Sequence, residues 1–198
     1  MKEELDWRNE KELHTQLAPL PEQSTDWRRV KMKKDLHIMA LPPSADMYYL
    51  EKLESAYILH RCSRYDVQRK ELLKTQEKFY LADSSFKYSV LGYNDQSVAA
   101  MLENVVYLEL LRRGYEVCIG KTPNGEIDFI ANRQNDKIYI QITKEIKSEK
   151  TEKREYDRLL EINDNYPKYL LTTDDFAGGN YQGIKTMHIA DFLLSKEY

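Results

Sequence analysis

The chain is poor in the residues that build covalent or metal-held scaffolds. Of 198 residues only two are cysteines, Cys62 and Cys118, and neither has a partner at metal-ligand spacing. That excludes a disulfide framework and a zinc–thiolate centre, and it suits buried thiols in a reducing, cytoplasmic compartment. Histidine is also scarce. His14, His37, His60 and His188 stand singly, with no HxxxH or HExxH pair for zinc. Seven glycines leave no Gly-rich loop to cradle a nucleotide. Gly120-Lys121-Thr122 imitates the end of such a loop, but Tyr115 stands where its first glycine is needed, and a proline follows instead of a helix. No run of about 18 apolar residues occurs, so no membrane span is expected. The charged start "MKEELDWRNEKEL" has no apolar signal region. Charge of neither sign dominates: 30 basic residues face 33 acidic ones. A nucleic-acid surface would therefore have to be local.

The composition does supply a core. Apolar residues make up 41% of the chain and charged ones 32%, which suits one ordinary domain with a small appendage. Residues 1–43 read as a polar and basic arm, with two prolines in "LAPLPEQSTDW". Arg28, Arg29, Lys31, Lys33 and Lys34 form the densest positive cluster and are the candidates for phosphate contacts. Residues 44–94 read as a smaller α+β segment. A helix follows Pro42–Pro43, with Ser44 or Asp46 as its cap, and "AYILHRCSRYD" and "KFYLAD" follow as strands. A helix with a two-stranded turn-back is the outline of a winged helix. Fifteen tyrosines are many for this length. Most should be half-buried, with Tyr48, Tyr49 and Tyr65 as candidates for stacking on bases.

From residue 95 the pattern sharpens. "SVAAMLENVVYLELLRRG" predicts a helix with Val98, Met101, Leu102, Val105 and Leu108 on one stripe and Gly114 as its stop. "YEVCIGK", "EIDFIAN" and "KIYIQIT" read as three strands. "SEKTEKREYDRLLEIN" is a charged amphipathic helix and "PKYLLTTD" a buried strand. "FAGGNYQG" reads as a loop, "IKTMHIA" as a last strand and "DFLLS" as a short helix. The order over 95–198 is thus α-β-β-β-α-β, with a further strand and a small helix.

That order is the one used by restriction-endonuclease-like cores with the PD-(D/E)XK signature. Phosphodiester hydrolysis there needs a hard divalent cation, and magnesium takes oxygen ligands from carboxylates. Glu103 supplies the helix acid and Asp128 the strand-two acid, with Glu126 two residues away. Gln141 takes the strand-three position. Alternation puts Thr143, not a lysine, on the face of Gln141. Lys144 is adjacent but out of phase, unless a bulge re-aims it. The candidate site is therefore Glu103, Asp128, Gln141 and Lys144, with the first three as ligands for Mg2+ and Lys121 as another lysine within reach.

The strings "LENVVYLELLRRGYEV" and "GEIDFIA", with "RYD" and "KELLKTQEKFYLAD", carry a further resemblance. Over roughly residues 44–198 the chain resembles the C-terminal region of a family of bacterial and archaeal predicted P-loop ATPases. The resemblance implies a winged-helix-like segment at 44–94, then a restriction-endonuclease-like α/β domain at 95–198. It also implies a site at Glu103, Asp128 and Gln141 that lacks its lysine. The ATPase half is missing from this chain. The expectation is a DNA-binding or regulatory module with a degenerate metal site. The alternatives are a Mg-dependent DNA nuclease and a domain that docks on a partner ATPase without touching nucleic acid.

Overall fold

The computed structural model describes residues 47–146, 148–175 and 177–196. The basic cluster at 28–34 and the helix caps at Ser44 and Asp46 lie outside them. Helix α1 (Met47–Ser55) leads into a hairpin of β1 (Leu59–Asp66) and β2 (Glu71–Leu81). A short helix α2 (Ser85–Leu91) and a 3₁₀ turn (Asp95–Ser97) precede α3 (Val98–Arg112). Three strands follow, β3 (Glu116–Thr122), β4 (Gly125–Arg133) and β5 (Asp136–Thr143). Then come α4 (Glu149–Leu160), β6 (Lys168–Thr172), β7 (Gly178–Tyr181), β8 (Ile184–His188) and α5 (Ile189–Leu194).

All of these strands join one eight-stranded sheet in the order β2-β1-β3-β4-β5-β6-β8-β7. β3, β4 and β5 run antiparallel in sequence. β5, β6 and β8 are parallel. The fold is α/β, a mixed sheet flanked by helices, and α3-β3-β4-β5-α4-β6 reproduces the expected order. The β1–β2 hairpin is the outer edge of the same sheet, because β1 pairs in parallel with β3 from Arg64↔Ile119 to Asp66↔Lys121.

Two buried layers explain why the central strands are apolar almost throughout. On one face Phe129, Ala131, Ile138, Ile140 and Ile142 pack against Val106, Tyr107 and Leu110 of α3 and against Ile189 and Phe192 of α5. On the other, Ile127, Ile130, Tyr139 and Leu170 pack against Tyr156 and Leu159 of α4. Tyr80 and Tyr107 stack with ring centroids 4.2 Å apart, and Phe129 lies 5.6 Å from Tyr80. Cys62 and Cys118 are buried free thiols, and burial pushes the Cys118 thiol up to about 11.

Three local expectations change. The α3 stripe is rotated, so that Met101, Asn104, Tyr107 and Leu110 are buried while Val105 is exposed. Asn104 causes this. Its Oδ1 accepts the Leu81 N–H at 2.8 Å, and its Nδ2 donates to the Leu81 carbonyl at 2.9 Å. A polar side chain thus stands in for a strand partner at the end of β2. The stretch read as a loop contains β7, a four-residue edge strand paired to β8. Its residues are all exposed, so no apolar alternation marks it. β2 is also longer than "KFYLAD", beginning at Glu71.

Candidate functional site at the β4–β5 fork

β4 and β5 begin as a regular antiparallel pair and then part. Their register runs from Arg133↔Asp136 to Phe129↔Ile140 and stops there, although β4 starts at Gly125 and β5 continues to Thr143. On its other side β4 carries a bulge. Cys118 faces Ile130 but Gly120 faces Ile127, so β4 holds one extra residue around Asp128. The bulge breaks the alternation and turns Asp128 into the gap between the parting strands.

Two side chains close that gap. Asp128 Oδ2 accepts the Ile142 N–H at 2.7 Å, and Gln141 Oε1 accepts the Asp128 N–H at 3.4 Å. Backbone donors that lost a ladder partner are thereby satisfied. Burial pushes the Asp128 carboxyl up to about 6. The Ile142 N–H and nearby Lys78 pull the other way, and Glu155 adds to the rise.

Gln141 does not share a face with Glu103. Its Nε2 donates to Glu155 Oε2 at 3.0 Å, on α4. Glu155 is 3% exposed. Its Oε1 accepts from Arg154 Nε and Nη2 at 3.0 and 2.6 Å, and its Oε2 from Arg158 Nη1 at 2.9 Å. Glu103 lies on α3, across the sheet. There Lys78 of β2 reaches it, with Nζ 3.9 Å from Glu103 Oε2 and 3.5 Å from Glu126 Oε2. Arg64 of β1 also bonds Glu126. Burial pulls the Glu126 carboxyl up, but Arg64 and Lys78 outweigh it and hold it below the usual range.

The structure therefore unites Glu103 with Glu126 through Lys78, and Asp128 with Gln141 through the fork. The charge of Lys78 also reaches Asp128, while the Gln141 amide turns to Glu155 on α4. Among the described residues, no three His, Cys, Asp or Glu side chains form a metal-holding group. Thr143 is half-buried, with its hydroxyl 3.4 Å from the Glu145 carbonyl. Lys144 is exposed beyond the end of β5, and its carbonyl is held by the Thr173 N–H at 3.1 Å. Lys121 is exposed too. The lysine near the acids is Lys78, and it was missed because it comes from a strand 50 residues before Asp128. A lysine at the head of "KFYLAD", beside an apolar run, was the available signal.

No family model matches the chain, and no solved structure matches it. It is similar to an uncharacterized protein of Haemophilus influenzae. The two are 39% identical over 146 residues, which is 74% of this chain and 36% of that protein. The chain thus spans little more than a third of the length of that relative. Among the described residues no helix is long and apolar enough to cross a membrane.

Proposed function

We propose that the chain is a DNA-binding or regulatory module on a restriction-endonuclease-like core, with a winged-helix-like segment at 44–94 and a degenerate metal position. The observation that carries this reading is Lys78. Its ammonium group stands between Glu103 and Glu126, at 3.9 and 3.5 Å, and so neutralises the helix acid that a cation would need. The other polar groups are engaged at least in part. One Asp128 oxygen holds the Ile142 amide, and both ends of Gln141 are engaged. Hard cations need several carboxylate or carbonyl oxygens turned to one point. In this reading the residues do not turn enough oxygens to one point for Mg2+, and no hydrolytic step is assigned to them. What remains is an ion-pair cluster that joins β1, β2 and β4 to α3.

Nucleic-acid binding in this reading falls to Arg28, Arg29, Lys31, Lys33 and Lys34. Two measurements test it. Calorimetric titration of Mg2+ or Mn2+ should give no heat that distinguishes the wild type from Asp128→Ala. A wild-type heat lost in the variant would restore the nuclease reading. DNA affinity should fall with salt, and the salt slope should shrink when the five basic residues are neutralised. A flat salt response would favour docking on a partner ATPase instead.

A further inference from the structure

The β3–β4 turn joins its strands through Pro123 and Asn124, between Thr122 and Gly125. Asn124 and Gly125 form the single Asn-Gly step in the sequence. Asn124 is exposed. A cleft of about 680 Å3, which Asn124 lines together with Arg154, Arg158 and Glu161, opens its side chain to water.

We propose that Asn124 is a site of spontaneous deamidation, and that the reaction frees this turn from α4. The Gly125 nitrogen attacks the carbon of the Asn124 side-chain amide. An N–C bond forms, the bond from that carbon to Nδ2 breaks, and ammonia leaves with the Gly125 amide proton. Water then opens the cyclic imide at either carbonyl, giving aspartate or isoaspartate. Water is the one other reactant.

Three observations support this site. The first is the attacking residue. Glycine has no Cβ to shield its nitrogen. A Cβ built on Gly125 would meet, among the described residues, Arg158 Nε alone, at 3.6 Å. The surroundings thus leave room for the ring to close. The second is the ladder. Thr122↔Gly125 is the last pair between β3 and β4. End pairs open before the ladder behind them, so the Gly125 nitrogen is released without unfolding β4. The third is what the amide does before it reacts. Asn124 Nδ2 donates to Glu161 Oε1 at 2.8 Å, just past the end of α4. This bond ties the turn to the helix, and it restrains the amide. Deamidation replaces the donor by a carboxylate, and two carboxylates at hydrogen-bond distance repel. The isoaspartyl form also adds a carbon to the main chain just ahead of Glu126 and Asp128.

The inference does not depend on the DNA-binding reading. Ageing of the full chain at mildly alkaline pH and body temperature, followed by proteolysis and mass spectrometry, tests it. The peptide holding Asn124 should gain the mass difference between an amide and an acid, as a mixture of aspartyl and isoaspartyl forms. It should do so well ahead of the peptides holding Asn94 and Asn135, which are exposed but lack a following glycine. Asn124→Gln should stop the gain. Glu161→Ala should speed it severalfold, since the amide is then unrestrained. Asn124→Asp installs one product and should lower the melting temperature by about 2–4 °C. A peptide that ages no faster than those of Asn94 and Asn135 would overturn the proposed site. A rate unchanged in Glu161→Ala, or a melt unchanged in Asn124→Asp, would overturn the release of the turn from α4.

Discussion

Asp128 sits where two strands part, and its surroundings govern how it titrates. Burial raises its carboxyl from the ordinary 3.8 to about 6. The folded protein therefore holds this proton more tightly than the unfolded chain does. The stability it contributes is full below about pH 4 and is lost as the pH rises through about 6. Asp128→Asn keeps an oxygen for the Ile142 N–H and removes the titration. Urea unfolding of both proteins between about pH 4 and pH 7 should show the wild type losing roughly 2–3 kcal/mol relative to the variant. Parallel stability curves would mean that the carboxyl is not lifted. Alternation in the sequence correctly put Asp128 and Gln141 on neighbouring strands. It could not show that a bulge turns Asp128 between the two sheet faces, or that Gln141 binds α4. Both depend on contacts made across the sheet, which local periodicity does not carry.

At the scale of the element, the bulge on β4 explains Gly120. Ile127 and Ile130 fall on one face because of the extra residue, and both lie over Gly120. A Cβ there would meet Ile130 Cδ1 at 3.0 Å and Ile127 Cβ at 3.1 Å. This glycine is a packing residue, which agrees with setting aside the GKT stretch as a phosphate loop. Gly120→Ala should destabilise the protein by about 1–3 kcal/mol through overpacking. A thermal melt unchanged within about a degree would show that β3 and β4 give way more easily than these distances imply. The same scale shows why some elements were legible and others were not. β4 and β5 are long runs bounded by turn residues, and α4 is amphipathic and capped by Ser148, whose hydroxyl oxygen accepts the Thr151 N–H at 3.2 Å. β7 is four exposed residues and the front of β2 is polar. Edge strands are held by one neighbour, so their side chains need not advertise a buried face.

Over the whole molecule, the question is whether 44–94 can stand apart. Phe129 bears on this, because its ring lies 5.6 Å from Tyr80 on the edge hairpin and 5.8 Å from Tyr107 on α3. Three elements meet at one fully buried side chain. Phe129→Ala should cost about 3–5 kcal/mol. Hydrogen exchange should then show protection falling together in β2, β3 and β5. Protection lost in β3 and β5 but kept in β1–β2 would make the hairpin an independent unit. The α-β-β-β-α-β order and the mixed α/β class were readable because each central element is long and strongly patterned. The joining of β1 to β3 was not, since a parallel pairing across an intervening strand and two helices leaves no local mark.

That pairing also imposes an order in time. The β1–β2 hairpin can zip up early, because its partners are adjacent in the chain. Its inner edge then waits, since Arg64 meets Ile119 only after α3 and β3 have been made. Contacts between segments so far apart close slowly. A fragment that ended before β3 would leave one row of β1 backbone groups without its sheet partner. A three-residue register is thus all that covers this edge in the folded protein.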